Sequence, residues 1–268
     1  MIIVLLMYVE SVKSEIPLAP ALYVFGDSIF DSGNNNVLPT LAKADFKPYG
    51  SNFDGGRATG RFTNGKTVAD FIAEFLGLPF SPPYLSLRGS LKLTGLNYAS
   101  GSCGILPYTG NFIRLYRLGA RKIIMFEIGP IGCIPSFTKK LRHNGRCNEE
   151  YNALAVIFNN QLSEMLKNLT STLQGSVFIL GHGHWLGYDA IINPSTYGLM
   201  DPASPCCITW GNGTSACIPE LVPCRDADKH YFWDGYHLTE TIYSVIATKC
   251  FNGTSLCIPK NIRELVED

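Results

Sequence analysis

Two rhythms of apolar residues organise this chain. Residues 21–25, 122–126 and 177–180 are short, nearly unbroken apolar runs that end at or near a glycine, the pattern of strands buried on both faces of a parallel sheet. Residues 96–100 read as a further short strand, running into Gly101-Ser102-Cys103-Gly104. Between them the spacing changes to three and four. Val68, Phe71, Ile72, Phe75 and Leu76 fall on one helical face, with Gly77 just past the end, where a left-handed cap is wanted. Asn148 is placed to cap a long helix with Glu149 and Glu150 in its first turn and Tyr151, Leu154, Ala155, Phe158, Leu162, Met165 and Leu169 along its apolar stripe. Helices are also expected over 112–118 and from about Thr239. Strands alternating with helices predict a doubly wound parallel α/β sheet. Residues 34–36 and 49–65 read as loops. Residues 201–224, rich in Cys, Pro and Gly without a period, read as a loop pinned by disulfides.

Composition narrows the class. The chain has 268 residues, 46% hydrophobic and 16% charged, which suits one large α/β core. Lys plus Arg equals Asp plus Glu at 22 each, so no net field draws a nucleic-acid backbone. No apolar stretch reaches the roughly 18 residues of a transmembrane helix. Residues 1–14 read as a short signal peptide, cut near Ser14, and 15–268 as a single domain. Sequons stand at Asn168, Asn212 and Asn252, and nine cysteines are spread through the chain, six of them in its last quarter. Signal, sequons and cysteines together point to secretion, where disulfides persist. An odd count leaves at least one thiol unpaired or bonded to another chain. Residues 212–219 recur as 252–259 with one change, which reads as two exposed turns, each with a sequon beside a disulfide cysteine.

The candidate chemistry lies where ligands bind in an open α/β sheet, beyond the carboxyl ends of the strands. The first such end carries Gly26-Asp27-Ser28. A serine at a strand-to-helix turn exposes its hydroxyl and aims its own N–H where an oxyanion would sit, although the same placement also fits a helix N-cap. Gly-x-Ser-x-Gly, the nucleophile elbow of another hydrolase fold, is absent from the sequence. A serine nucleophile needs a base and an orienting carboxylate. Of five histidines, His143 and His230 read as surface residues. His182 and His184 alternate at a strand end with no third ligand nearby, so no metal is expected. His237 follows Asp234 by three residues, a spacing that across a tight turn sets a carboxylate beside Nδ1 while Nε2 faces a cleft.

The block Gly26-Asp27-Ser28-Ile29-Phe30-Asp31-Ser32-Gly33-Asn34-Asn35 resembles the first block of the plant GDSL esterase/lipases, in the SGNH hydrolase superfamily. Thr59–Gly65, Asn97–Gly101, Gly119–Lys122, Gly129–Pro135 and Phe232–His237 resemble further blocks of that family, in order. The resemblance implies a flavodoxin-like sheet with helices on both faces and hydrolysis of small-molecule or lipid esters without a cofactor. It implies that Ser28 is the nucleophile, His237 the base and Asp234 its partner, with oxyanion donors at Ser28 and Gly101. Leu238 stands where the family usually has proline, and Ser102-Cys103 replaces a Gly-Ala pair. A larger departure is internal. The family carries a long segment with a Gly-x-Asn-Asp motif whose Asn donates to the oxyanion; here Gly110 runs straight into Asn111. By the resemblance that segment holds the central third strand, so the strand at 122–126 is expected to close toward the one at 21–25, the alternative being two unpaired inner edges. Two functions remain: a secreted esterase weakened by the lost donor, or a non-catalytic glycoprotein on the same scaffold.

Overall fold

The computed structural model describes residues 16–87, 94–103, 112–140 and 146–268. In chain order these form α1 (Val68–Phe75), α2 (Phe112–Arg117), β1 (Lys122–Phe126), α3 (Pro135–Thr138), α4 (Glu149–Thr172), β2 (Val177–Gly181), α5 (Gly183–Ile192), β3 (Asp201–Pro205), β4 (His230–Phe232), α6 (Glu240–Asn252), β5 (Cys257–Ile258) and α7 (Ile262–Glu267). The expected signal peptide lies outside the described residues.

β1 and β2 pair in parallel, from Lys122 opposite Val177 to Phe126 opposite Gly181, and β5 adds an antiparallel edge to β2. Alternate residues of these strands enter different cores. Ile124, Phe126, Val177 and Ile179 join a large cluster with α1, α5, α6 and α7. Ile123, Met125, Phe178 and Leu180 pack instead under Leu162 and Leu166 of α4. Helices therefore cover both faces, and that is why these strands read as continuous apolar runs.

α1 begins at a reciprocal cap, in which Thr67 accepts from the Asp70 N–H and Asp70 accepts from the Thr67 N–H. It ends at Gly77 with φ +70°. Asn148 sits at the N-cap of α4 but its side chain makes no cap bond. Thr239 sits before α6 in the same way, its hydroxyl donating to the His230 carbonyl instead. Part of the expected 201–224 loop is strand, since β3 runs parallel to β4. The remainder is stapled by Cys206–Cys224 and Cys207–Cys217; Cys133–Cys147 and Cys250–Cys257 are also bonded, and Cys103 is free.

The first two expected strands form a ladder without becoming regular strands. Leu22 and Val24 donate to Thr94 and Leu96, while Tyr98 and Ser100 donate back to Val24 and Gly26. This ladder does not close onto β1. Among the described residues no backbone hydrogen bond joins 22–26 to Lys122–Phe126, and the halves meet through side chains such as Phe30 and Phe126, 5.9 Å apart. Among the described residues the expected closure is therefore not made, and the alternative stands: the facing edges of 22–26 and β1 carry no strand partner there. At that seam the Phe30 ring, from the turn after Gly26, packs on Phe126 of β1 in place of a backbone pairing. Tyr23 and Phe25 beside the open edge remain 54% and 52% exposed.

Candidate active site

At Gly26 the chain leaves its ladder with φ +153°, and a Cβ there would lie 3.0 Å from the Phe30 ring, so a side chain is disfavoured at this bend. The next residues form a turn, in which the Asp27 carbonyl accepts from Phe30 and Asp31 and its carboxylate from the Ile29 N–H. No helix follows directly, so Ser28 is not an N-cap. Its Oγ lies 2.8 Å from His237 Nε2. His237 Nδ1 lies 2.8 Å from Asp234 Oδ2 and 2.9 Å from Oδ1. The three expected residues are brought together in a continuous hydrogen-bond chain.

The turn around Asp234 explains the three-residue spacing. Asp234 Oδ1 accepts the backbone N–H groups of Tyr236 and His237, both at 2.8 Å, which folds the imidazole back over its own carboxylate. Gly235 lets this turn press against the stapled loop; a Cβ there would come within 2.5 Å of the Ser215 nitrogen. Asp234 is fully buried. Burial opposes its charge, yet the His237 ring beside it and hydrogen bonds from His237, Tyr49 and Tyr236 hold its carboxyl below the usual carboxylate range. The Phe62 ring, 5.0 Å from that of His237, walls the other side.

Among the described residues the Ser28 N–H has no acceptor, as an oxyanion donor requires. Gly101 differs from expectation. Its N–H donates to Asp31 Oδ2 at 3.0 Å. Asp31 is fully buried and collects the Gly33 and Asn34 N–H groups as well; buried polar oxygens need such donors. The Asp31 web, together with Asn34 bonded to the Asn97 and Ala99 carbonyls and Asn97 to that of Phe30, fixes the Ser28 turn to residues 97–101. Arg61 braces the same turn through the Ser32 carbonyl while forming a buried two-point pair with Asp70; removing one partner of such a pair typically costs about 3–5 kcal/mol.

His182 stands beside Glu127. Its Nδ1 lies 2.8 Å from Glu127 Oε1, tying the carboxyl ends of β1 and β2. No group of three or more candidate metal ligands occurs among the described residues.

A family model described as GDSL-like Lipase/Acylhydrolase matches residues 22–111 and 104–250. GDSL esterase/lipase 7 of Arabidopsis thaliana is 34% identical, covering 94% of this chain and 93% of its own length. The chain belongs to the GDSL-like lipase/acylhydrolase family, a family of carboxylic ester hydrolases. A second Arabidopsis thaliana GDSL esterase/lipase is 35% identical over the same shares of both chains. These alignments span 343 and 345 positions against the 268 residues here, so both GDSL relatives hold residues that this chain lacks. The family model matches in two parts, which meet over residues 104–111.

One contributor was missed in the sequence. Tyr49 is fully buried, and its hydroxyl donates to Asp234 Oδ2 at 2.6 Å from 185 residues away. No periodicity or short spacing marks it; it lay inside a segment read only as loop.

Proposed function

We propose that this chain is a secreted serine hydrolase that cleaves carboxylic esters of small molecules or lipids through an acyl-enzyme. The observation that carries the reading is the hydrogen-bond chain from Ser28 through His237 to Asp234. Ser28 Oγ attacks the ester carbonyl carbon as His237 Nε2 takes its proton. Asp234 holds the ring with Nδ1–H toward itself and stabilises the imidazolium. The carbonyl oxygen becomes an oxyanion facing the Ser28 N–H. The C–O bond then breaks, and the alcohol leaves with the proton from His237. Water, deprotonated by the same ring, adds to the acyl carbon, and the acid departs as Ser28 regains its proton.

Secretion is supported by the four disulfides, which persist in oxidising compartments. The sequon residues Asn168, Asn212 and Asn252 are all exposed, the first within α4 and the others at turns or helix ends. We therefore include glycosylation at these residues in the reading.

A fluorophosphonate tests the mechanism, since it labels only an activated serine. Labelling at Ser28 is expected. A folded chain that takes up no label is instead a non-catalytic glycoprotein.

The rate should be low. Of the two expected oxyanion donors, only the Ser28 N–H is free among the described residues, because that of Gly101 is engaged by Asp31. Residues that the relatives hold are absent as well. Each missing donor lowers kcat by about 10²- to 10³-fold. Inserting the corresponding segment of the Arabidopsis relative between Gly110 and Asn111 should therefore raise kcat on a p-nitrophenyl ester by at least about 10²-fold. Equal kcat with and without the insert would contradict the donor argument.

A further inference from the structure

We infer that Tyr49 is a positioning residue for ester hydrolysis, fixing the Asp234 carboxylate that orients His237. This inference rests on the reading of Ser28, His237 and Asp234 given above.

The two oxygens of Asp234 are held differently. Oδ1 is fixed by the Tyr236 and His237 backbone N–H groups of its own turn. Oδ2, the oxygen nearer the imidazole Nδ1, has one donor besides that ring, the Tyr49 hydroxyl at 2.6 Å. Without it, the Oδ2 end of the carboxylate would be held by His237 alone, and its setting would rest on the Oδ1 turn bonds. The phenol is aimed in turn. The Cys217 N–H donates to Tyr49 Oη at 3.2 Å, and Cys217 is locked to Cys207. The Phe46 and Phe62 rings lie edge-on to Tyr49, 5.3 and 6.2 Å away. With its one acceptor site facing Cys217, the hydroxyl has its proton directed at Asp234. Burial, and then the Asp234 charge, push its ionisation well above the ordinary value, so it stays a donor. The stapled loop thereby reaches the imidazole through two hydrogen bonds, Cys217 to Tyr49 and Tyr49 to Asp234.

Tyr49→Phe keeps the ring and removes the donor. We expect kcat to fall about tenfold, the scale of a lost hydrogen bond to a charged group, with KM held within about twofold. A residue that only packs would leave kcat unchanged once folded protein is normalised. In an Asp234→Asn background the Tyr49→Phe change should cost no further activity, because its route to His237 is already cut. Placing 4-aminophenylalanine at position 49 restores a donor on the same ring and should return kcat to within about threefold of the parent; this variant decides the matter if the Phe chain does not fold. Unchanged kcat in folded Tyr49→Phe, full additivity with Asp234→Asn, or loss of kcat in the folded 4-aminophenylalanine chain would each overturn the inference. Ser28→Ala in the same assay separates the two readings: activity surviving there removes the triad itself, whereas a dead Ser28→Ala beside an unaffected Tyr49→Phe removes only the role of Tyr49.

Discussion

Ser28→Ala should abolish p-nitrophenyl ester turnover, by at least about 10⁴-fold, and eliminate fluorophosphonate labelling. The expectation follows from the position of Oγ, 2.8 Å from the only ring nitrogen turned toward it. Alanine leaves His237 with no proton to take and the ester with no nucleophile but water; in serine hydrolases this one deletion removes nearly as much rate as losing the whole triad. Asp27→Ala supplies the control. The Asp27 side chain only accepts the Ile29 N–H at the exposed rim, so labelling should persist. Turnover unchanged in Ser28→Ala, measured on protein free of contaminating esterase, would rule the mechanism out.

Asp234→Asn should lower kcat by about 10⁴-fold while leaving the fold in place, as the equivalent change does in other triads. An amide can offer an N–H to His237 Nδ1, which turns the ring into the tautomer with its proton on Nε2. That proton then faces Ser28, and the base cannot accept another. The carboxylate also carries a stability signature. Its folded ionisation lies below the ordinary carboxylate range, so the stabilisation tied to its charge is fully present above about pH 4 and lost as pH falls through the depressed value. The stability difference between parent and Asn variant should shrink in acid accordingly. A variant with parental kcat would show that Asp234 does not orient the base.

The proposed triad is assembled although the 22–26 ladder and β1 share no backbone hydrogen bond, because its members are held by other contacts. Ser28 is held by the Gly26 and Phe30 carbonyls, which accept from Ser100 and Asn97. The Asp234–His237 turn is held by Tyr49, by the stapled loop, and by the Thr63 hydroxyl on the Leu238 carbonyl. These are side-chain and turn contacts, none of them to β1 or β2. The sequence exposed the parts of this that are local. Runs of apolar residues located β1 and β2, a three-and-four spacing located α1 and α4, and Asp-x-x-His located a dyad whose turn is built from its own N–H groups. It concealed what depends on distant partners. The resemblance put an oxyanion donor at Gly101, and nothing near it in the chain announces Asp31; Tyr49 looked like loop because Asp234 lies 185 residues on. The expected closure of the sheet failed for a similar reason. Strand pairing was legible, but the Phe30 and Phe126 rings that occupy the seam could be counted only once folded.

The open edge leaves a record in the amide protons. Along residues 22–26 the Leu22 and Val24 N–H groups donate into the ladder, whereas those of Tyr23 and Phe25 point to the open side and have no acceptor among the described residues. Exchange with deuterated water should therefore alternate residue by residue, slow at Leu22 and Val24 and near the free-chain rate at Tyr23 and Phe25. Such a two-residue comb is the signature of a strand bonded on one side only. Any strand that later pairs along that edge, from an inserted segment or from another protein, would slow Tyr23 and Phe25 and erase the comb while leaving Leu22 and Val24 as they were.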